Sequence, residues 1–388
     1  MKVLLVDPYI TGHHLSYALK IIDYLVKTND EVYFLTTEKP INKNDNYWDE
    51  SILIQLENIK TKVKLIKVEL DSSRKYSTII IYKEIFEIIR ENRFDIIHLL
   101  YLDSEIIPLL LSINYFKNIK NNSKIIGTIH WSSNIIGYKG IKRWLKVKLF
   151  NYICKFFDLF FVHGENCKND ILVNTILNSN KIKVIPYGTE KSVNIDKIKS
   201  REKLNIDISD RVILFFGGLR KDKGIDILLE SLKYIKTNIT LIVAGKANGF
   251  EDIFEGARND NVKIIKHLRY INDEEIPFYF SASDALILPY KKIVSGQSGP
   301  LTIAATYGLP IIGTDVGEIG ITIKKYDMGI VTEPESPIEL ADAIDKFFKI
   351  DEKELNKIKE NLKNYALNNS WDVMCDKIYE NYIALTQI

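Results

Sequence analysis

The residues best able to do chemistry fall in two stretches of the second half. In FFGGLRKDKGIDILL, Gly217 and Gly218 loosen the backbone just after an apolar run, Arg220 and Lys223 bring two cations, and Gly224 opens the next helical stretch. Glycines let a ligand approach the backbone, arginine offers a planar fork and lysine a point charge, a combination suited to a diphosphate. The spacing differs from a P-loop, which needs Gly-Lys followed by Ser or Thr. A solvated basic turn ahead of a helix is the plainer reading of the same residues. From Asp284 to Gly320 the chain reads DALILPYKKIVSGQSGPLTIAATYGLPIIGTDVGEIG, with an apolar run to Leu288 and then a Pro-Tyr turn. A polar loop with Gly296, Ser298 and Gly299 follows, then a helical stretch to Tyr307 and a second apolar run to Gly313. Such a helix start presents unpaired N–H groups and the positive end of a dipole, so it attracts phosphate or another anion.

Elsewhere the candidates are single residues. PYITGHH lies between a strand-like run, Lys2 to Asp7, and helical periodicity from Leu15 to Val26. It places Gly12 in a strand-to-helix loop, where a glycine serves either a ligand or a turn. His13 and His14 beside it lack the further ligands a metal needs. His130 ends an apolar run in GTIHWSS and is placed for the crevice at the C-terminal ends of strands, whereas His98 sits inside such a run, as a hydrogen-bonded core residue does. No DxD-like acidic cluster offers a metal site.

These candidates need elements to hold them. Strands are expected at Val32–Leu35, Val63–Val68, Asp95–Leu99, Lys124–Ile129, Leu159–Val162 and Lys183–Ile185, with helical patterns at Thr78–Arg90, Glu105–Leu111 and Ile141–Phe157. The polar, lysine-rich PYGTEKSVNIDKIKSREKLNI from Pro186 reads as an inter-domain linker. A second series has strands at Val212–Phe216, Thr240–Ala244, Val262–Ile265, Ala285–Leu288, Pro310–Thr314 and Gly329–Val331. Its helices are expected at Ile225–Ile235, Glu274–Ser281, Leu301–Tyr307, Ile338–Phe347 and Glu352–Leu367. The alternation predicts two α/β domains with mostly parallel sheets and a cleft between them for a small molecule. At 388 residues the chain exceeds what one core usually serves, and 46% hydrophobic residues suffice for two. A net charge of +2 makes no case for nucleic acid. Cys154, Cys167 and Cys375 show neither metal spacing nor a paired framework, which points to a reducing compartment. Without a leader segment or an apolar run of ~18 residues, the expected location is cytoplasmic.

One segment differs in texture. From Tyr138 to Asp158, Lys139, Lys142, Arg143, Lys146 and Lys148 interleave with Ile141, Trp144, Leu145, Leu149, Phe150 and Phe156, and the first acid is Asp158. A basic helix with bulky apolar residues suits an anionic membrane surface. A helix whose apolar stripe packs on the sheet while its lysines are solvated is the alternative.

FFGGLRKDKGIDILLESL, VIPYGTE, LIVAGK, ASDALILPY and QSGPLTIAATYGLPIIGTDVG together resemble the GT-B fold glycosyltransferases of family 4, retaining enzymes that use sugar nucleotides. The likeness covers most of the chain and is strongest from Val184 to Val331. It implies two Rossmann-like domains facing across a cleft, an acceptor-binding domain at 1–186 and a nucleotide-sugar-binding domain at 187–367. A last helix at 368–388, containing SWDVMCDKIYENYI, is implied to cross back to the first domain. The resemblance implies that Lys223 neutralises the donor diphosphate. The family's arginine falls at Gly218, leaving Arg220 to substitute, and His130 is implied to touch the donor sugar. The family's two glutamates fall at Ser295 and Ile303, so Gln297, Ser298 and amides near Gly299 are left to hold sugar and phosphate, with Glu318 a candidate for the ribose. The expected catalytic set is thus Lys223, Arg220 and His130, and the donor-binding set Gly12, Gly217, Gly218, Ser295, Gln297, Ser298, Gly299 and Glu318.

The implied activity moves a sugar from a nucleotide-diphosphate donor to a glycan or lipid-linked acceptor in polysaccharide biosynthesis. It needs neither metal nor cofactor, and the protein would sit peripherally on the inner face of the membrane. The missing carboxylates leave open a non-catalytic subunit that binds a partner or glycan, and the shared layout leaves open a sugar-nucleotide epimerase.

Overall fold

The computed structural model describes residues 1–8, 13–37, 59, 63–68, 82, 85–89, 92–103, 105–112 and 123–387. They divide into two compact units: Met1–Pro186 with Asp372–Ile388, and Tyr187–Trp371. Gly12 and most of the helix expected at Thr78–Arg90 lie outside the described residues.

In the first unit, β1 (Lys2–Val6), β2 (Glu31–Thr37), β3 (Lys64–Val68), β4 (Ile96–Leu99), β5 (Lys124–Ile129), β6 (Leu159–Val162) and β7 (Ile182–Val184) form one parallel sheet. Their order is β3-β2-β1-β4-β5-β6-β7. The inner strands are buried along their whole length, which is why they read as unbroken apolar runs rather than as alternation. In the second unit, β8 (Val212–Phe216), β9 (Ile239–Ala244), β10 (Val262–His267), β11 (Ala285–Leu288), β12 (Ile311–Thr314) and β13 (Gly329–Thr332) pair in parallel in the order β10-β9-β8-β11-β12-β13. In both sheets the order reverses beside the first strand, so the loops leaving β1 and β4, and those leaving β8 and β11, diverge and open a crevice at the carboxyl ends.

The lysine-rich stretch after Pro186 is part of the second unit rather than a bare linker. Asp196 caps a helix at Lys197–Lys203 by accepting the Ile198 and Lys199 amides. Arg201 is buried behind it, donating to the Ala282 carbonyl at 3.0 Å and pairing with Asp284 at 3.1 Å. One buried guanidinium thus converts a polar segment into structure. Helices at Glu165–Asn174 and Gly317–Tyr326 also stand where no helix is expected from the sequence.

The helix Trp371–Thr386 ends the chain, and from Asp372 on it belongs to the first unit. Tyr24 donates to Asp376 at 2.5 Å, and the Tyr382 hydroxyl meets His98 Nδ1 at 2.5 Å. The other nitrogen of His98, Nε2, lies 2.7 Å from Thr128 Oγ1, so this histidine of β4 is a fully bonded core residue. Burial, and then the neighbouring His163, lower its pKa to about 3, so it stays neutral. Replacing Tyr382→Phe strands one buried ring nitrogen and is expected to cost about 1–3 kcal/mol, read as a lower urea midpoint for loss of the first unit. An unchanged midpoint would show that the bond contributes nothing.

Candidate anion-binding site

The loop leaving β8 turns sharply on Gly217, whose φ is +104°. Lys223 folds back over this glycine: a β-carbon there would stand 2.6 Å from Lys223 Nζ and 3.9 Å from Pro300 Cγ. The lysine of the first stretch and the helix start of the second therefore meet at one point, although Lys223 and Pro300 lie far apart in the chain. Gly224 closes the loop with φ +68°, and its missing β-carbon makes room for the Pro289 carbonyl, which would be 1.9 Å away. Gly245, after β9, packs as closely on the Gly217 carbonyl. Gly218 lies under the Asn248 amide, which donates to the Leu219 carbonyl at 3.1 Å. Burial, and then the nearby Arg220 charge, lower the Lys223 ammonium to about 8 against the pull of Asp222.

The helix Gly299–Tyr307 starts beside this ammonium. The residue before it, Ser298, has the extended backbone of a capping residue, yet its side chain caps nothing. Its hydroxyl instead lies 3.2 Å from that of Tyr290. Open space stands in front of the exposed Gly299, and Gln297 is half-buried just ahead of it. Arg220 is exposed and gives its fork to Asp222, with bonds of 3.0 and 2.7 Å. Any anion drawing on Arg220 competes with that carboxylate. Ser295 is held from behind: Gly317 packs on its Cα, and its carbonyl accepts the Glu318 amide at 3.3 Å. Glu318 is not an acid of the surface. It is buried in the first turn of the Gly317–Tyr326 helix.

In the first unit the corresponding edge is filled with rings. His130, one residue beyond β5, is buried, with Nε2 2.9 Å from the Leu100 carbonyl and its amide donating to Asp103. It stacks on Tyr101 at 4.5 Å and lies 4.6 Å from His163, and Tyr101 meets His14 at 4.1 Å on its way out of β4. His14 Nδ1 is 3.1 Å from Asp7 Oδ2. Burial lowers His163 to about 4 and raises the Asp103 carboxyl. Sequence reasoning selected His130 but missed Tyr290, Asp222, Asp7 and Asp103. Of these, the Pro-Tyr turn after β11 was visible as a turn, with no sign that its phenol reaches Ser298. Among the described residues no group of three or more His, Cys, Asp or Glu side chains could hold a metal ion, and no helix is long and apolar enough to cross a membrane.

Comparison with known proteins agrees with this geometry. Residues 196–365, nearly all of the second unit, match the family model of glycosyl transferases group 1. The capsular polysaccharide biosynthesis glycosyltransferase CapM of Staphylococcus aureus is 26% identical over 193 residues, 44% of this chain and 49% of that protein. The chain thus spans about half the length of several curated relatives it matches. Among solved structures, a glycosyltransferase from Rickettsia africae superposes with a TM-score of 0.76 at 19% identity, covering 99% of this chain and 98% of its own. Anabaena Alr3699/HepE in complex with UDP and glucose gives 0.73 at 17% identity, covering 99% and 100%. These likenesses give the fold class, two Rossmann-like parallel-sheet domains of the GT-B type.

The lowered Lys223 has a consequence for stability. Below about 8 the folded state carries a charge that it holds less readily than the unfolded chain does, and this penalty fades as pH rises towards the lysine's ordinary value of 10.5. Lys223→Met is therefore expected to stabilise the ligand-free protein by about 1–2 kcal/mol at neutral pH. The gain should shrink in thermal melts taken at increasing pH above 8. A variant less stable than the wild type at pH 7 would mean that the ammonium's contacts outweigh its burial.

Proposed function

We propose that the protein is a retaining glycosyltransferase of the family 4 type that draws its sugar from a nucleotide-diphosphate donor held by the second unit. The observation that carries this reading is the convergence of Lys223, the bare backbone at Gly217 and the start of the Gly299–Tyr307 helix within a segment matching glycosyl transferases group 1. Cleaving the bond from the anomeric carbon to the diphosphate puts negative charge on the departing phosphate. A fixed ammonium and a helix terminus stabilise that charge as it forms. In this reading Gly217, Gly218, Gly299 and Gln297 line the donor diphosphate and sugar, and Lys223 with the helix terminus takes the role a metal would otherwise have. The UDP and glucose named with the Anabaena structure support a hexose donor, and the capsular role named for CapM supports a glycan or lipid-linked acceptor.

Lys223→Met should lower turnover of the accepted donor about 10²- to 10³-fold, with activity insensitive to EDTA. The donor is found by a thermal-shift panel of UDP, GDP, ADP and their sugars, since a ligand at ~100 times its Kd adds ~2.7 kcal/mol. A chain that binds no member of the panel and turns over no donor would instead support the non-catalytic reading, which the absent carboxylates at Ser295 and Ile303 and the Arg220–Asp222 pair favour.

We further propose that the first unit rests on an anionic bilayer. In the Gly140–Ile153 helix only the later apolar residues, Phe150 and Ile153, are buried, while Ile141, Trp144 and Leu145 are 74%, 56% and 48% exposed. The Ile106–Leu111 helix packs against it and adds exposed Ile107 and Leu111. Lys146 and Lys148 lie over the rings of Tyr138 and Trp144, so cations border the apolar residues. Headgroup phosphates would meet the lysines while the side chains at 141, 144 and 145 enter the interface. The wild type is expected to float with phosphatidylglycerol vesicles and not with phosphatidylcholine vesicles. A Lys142→Ala/Arg143→Ala/Lys146→Ala variant should stay at the bottom of the gradient, and equal recovery of the two proteins would dismiss the bilayer.

A further inference from the structure

We infer that Tyr290 is a positioning residue that joins the two halves of the anion site, an assignment that rests on the donor reading above. Residues 289–291 leave β11 between the lysine loop and the helix start; Pro289 and Lys291 are tied to the first and Tyr290 to both. The Pro289 carbonyl fills the space left by the missing side chain of Gly224. The Lys291 amide donates to the Asp222 carbonyl at 2.9 Å, and its ammonium pairs with Asp226 at 2.5 Å. Tyr290 stands between them with its own carbonyl held by Thr314 Oγ1 at 2.7 Å. Its ring lies beneath the Lys223 ammonium, 5.9 Å from centroid to Nζ, and its buried hydroxyl reaches Ser298 at 3.2 Å.

The bond to Ser298 matters because of what this serine is not doing. A serine with this backbone conformation at a helix start ordinarily turns its hydroxyl onto the amide three residues on, here Leu301. Pro300 has no N–H, so Leu301 carries the amide such a serine would take. In the structure Leu301 N–H reaches back only to the Ser298 carbonyl, at 3.1 Å, while the serine hydroxyl is turned to Tyr290. The phenol thus fixes the serine side chain at the helix start, beside the ammonium that its own ring supports. Tyr290 acts through Lys223 and Ser298 and touches no reacting atom.

The test uses the full chain and whichever of UDP, GDP and ADP raises its melting temperature most, titrated by calorimetry beside the parent nucleoside. Tyr290→Phe keeps the ring and removes the hydroxyl. It should weaken the diphosphate about fivefold, as the loss of one neutral hydrogen bond does, and leave the nucleoside within a factor of two. Ser298→Ala breaks the same link from the other side, so the double variant Tyr290→Phe/Ser298→Ala should bind no more weakly than the weaker single one. Three results would overturn the assignment: wild-type affinity in Tyr290→Phe, equal losses for diphosphate and nucleoside, or losses that multiply in the double variant. If the wild type binds none of the three diphosphates, the donor reading falls first and this one with it, whereas wild-type binding with an unaffected Tyr290→Phe removes this assignment alone.

Discussion

A half-buried ammonium lying over a stretch of backbone that has no side chain is the constraint on which the second unit depends. Any β-carbon at Gly217 would push Lys223 aside, and the positive φ there is in any case awkward for other residues. The same loop is fixed at its far end by Gly224 against Pro289 and from the side by Gly245, so the lysine has little room to relax. Its proton is correspondingly easy to lose. A group that is costly to keep charged, held beside the positive end of a helix, is a site awaiting negative charge, and an anion there would relieve both strains together.

The first unit settles its carboxyl edge in the opposite way. His98 and His163 are kept neutral by burial, burial raises the Asp103 carboxyl, and the rings of His14, Tyr101, His130 and His163 pack one against the next. Burial disfavours charge on His98, His163 and Asp103, and Asp7 lies 3.1 Å from His14 beside them.

Much of this was legible in the residues themselves. Continuous apolar runs such as VILFF and ALIL fall within a residue or two of the observed strands, because a strand covered on both faces leaves no room for polar alternation. The glycine-rich turn and the helix start were each readable as anion-binding. What local sequence could not supply was their meeting, which comes from the reversal in strand order that sets β8 beside β11. The Lys197–Lys203 helix escaped notice because its stability comes from Arg201, whose partners lie up to 83 residues away. The helix at Gly317–Tyr326 begins on a glycine with a φ of +44° inside what looks like a turn. Arg220 was read as a ligand-binding fork. That it is already paired depended on the conformation of Asp222, which spacing does not reveal.

The helix at the chain's end has a consequence for how the molecule is made. Met374, Ile378 and Tyr382 are buried in the unit that the first 186 residues otherwise build, so that unit is discontinuous in the chain while the other is continuous. On the ribosome the early half emerges with a seam in its core, and the missing strip of side chains arrives after all of the later half has been translated. The second unit can close during synthesis, but the first must wait, its seam exposed for the whole interval. A truncation at the tail would therefore harm the opposite end of the sequence, and a fragment cut at the boundary after Pro186 would lack part of its own interior.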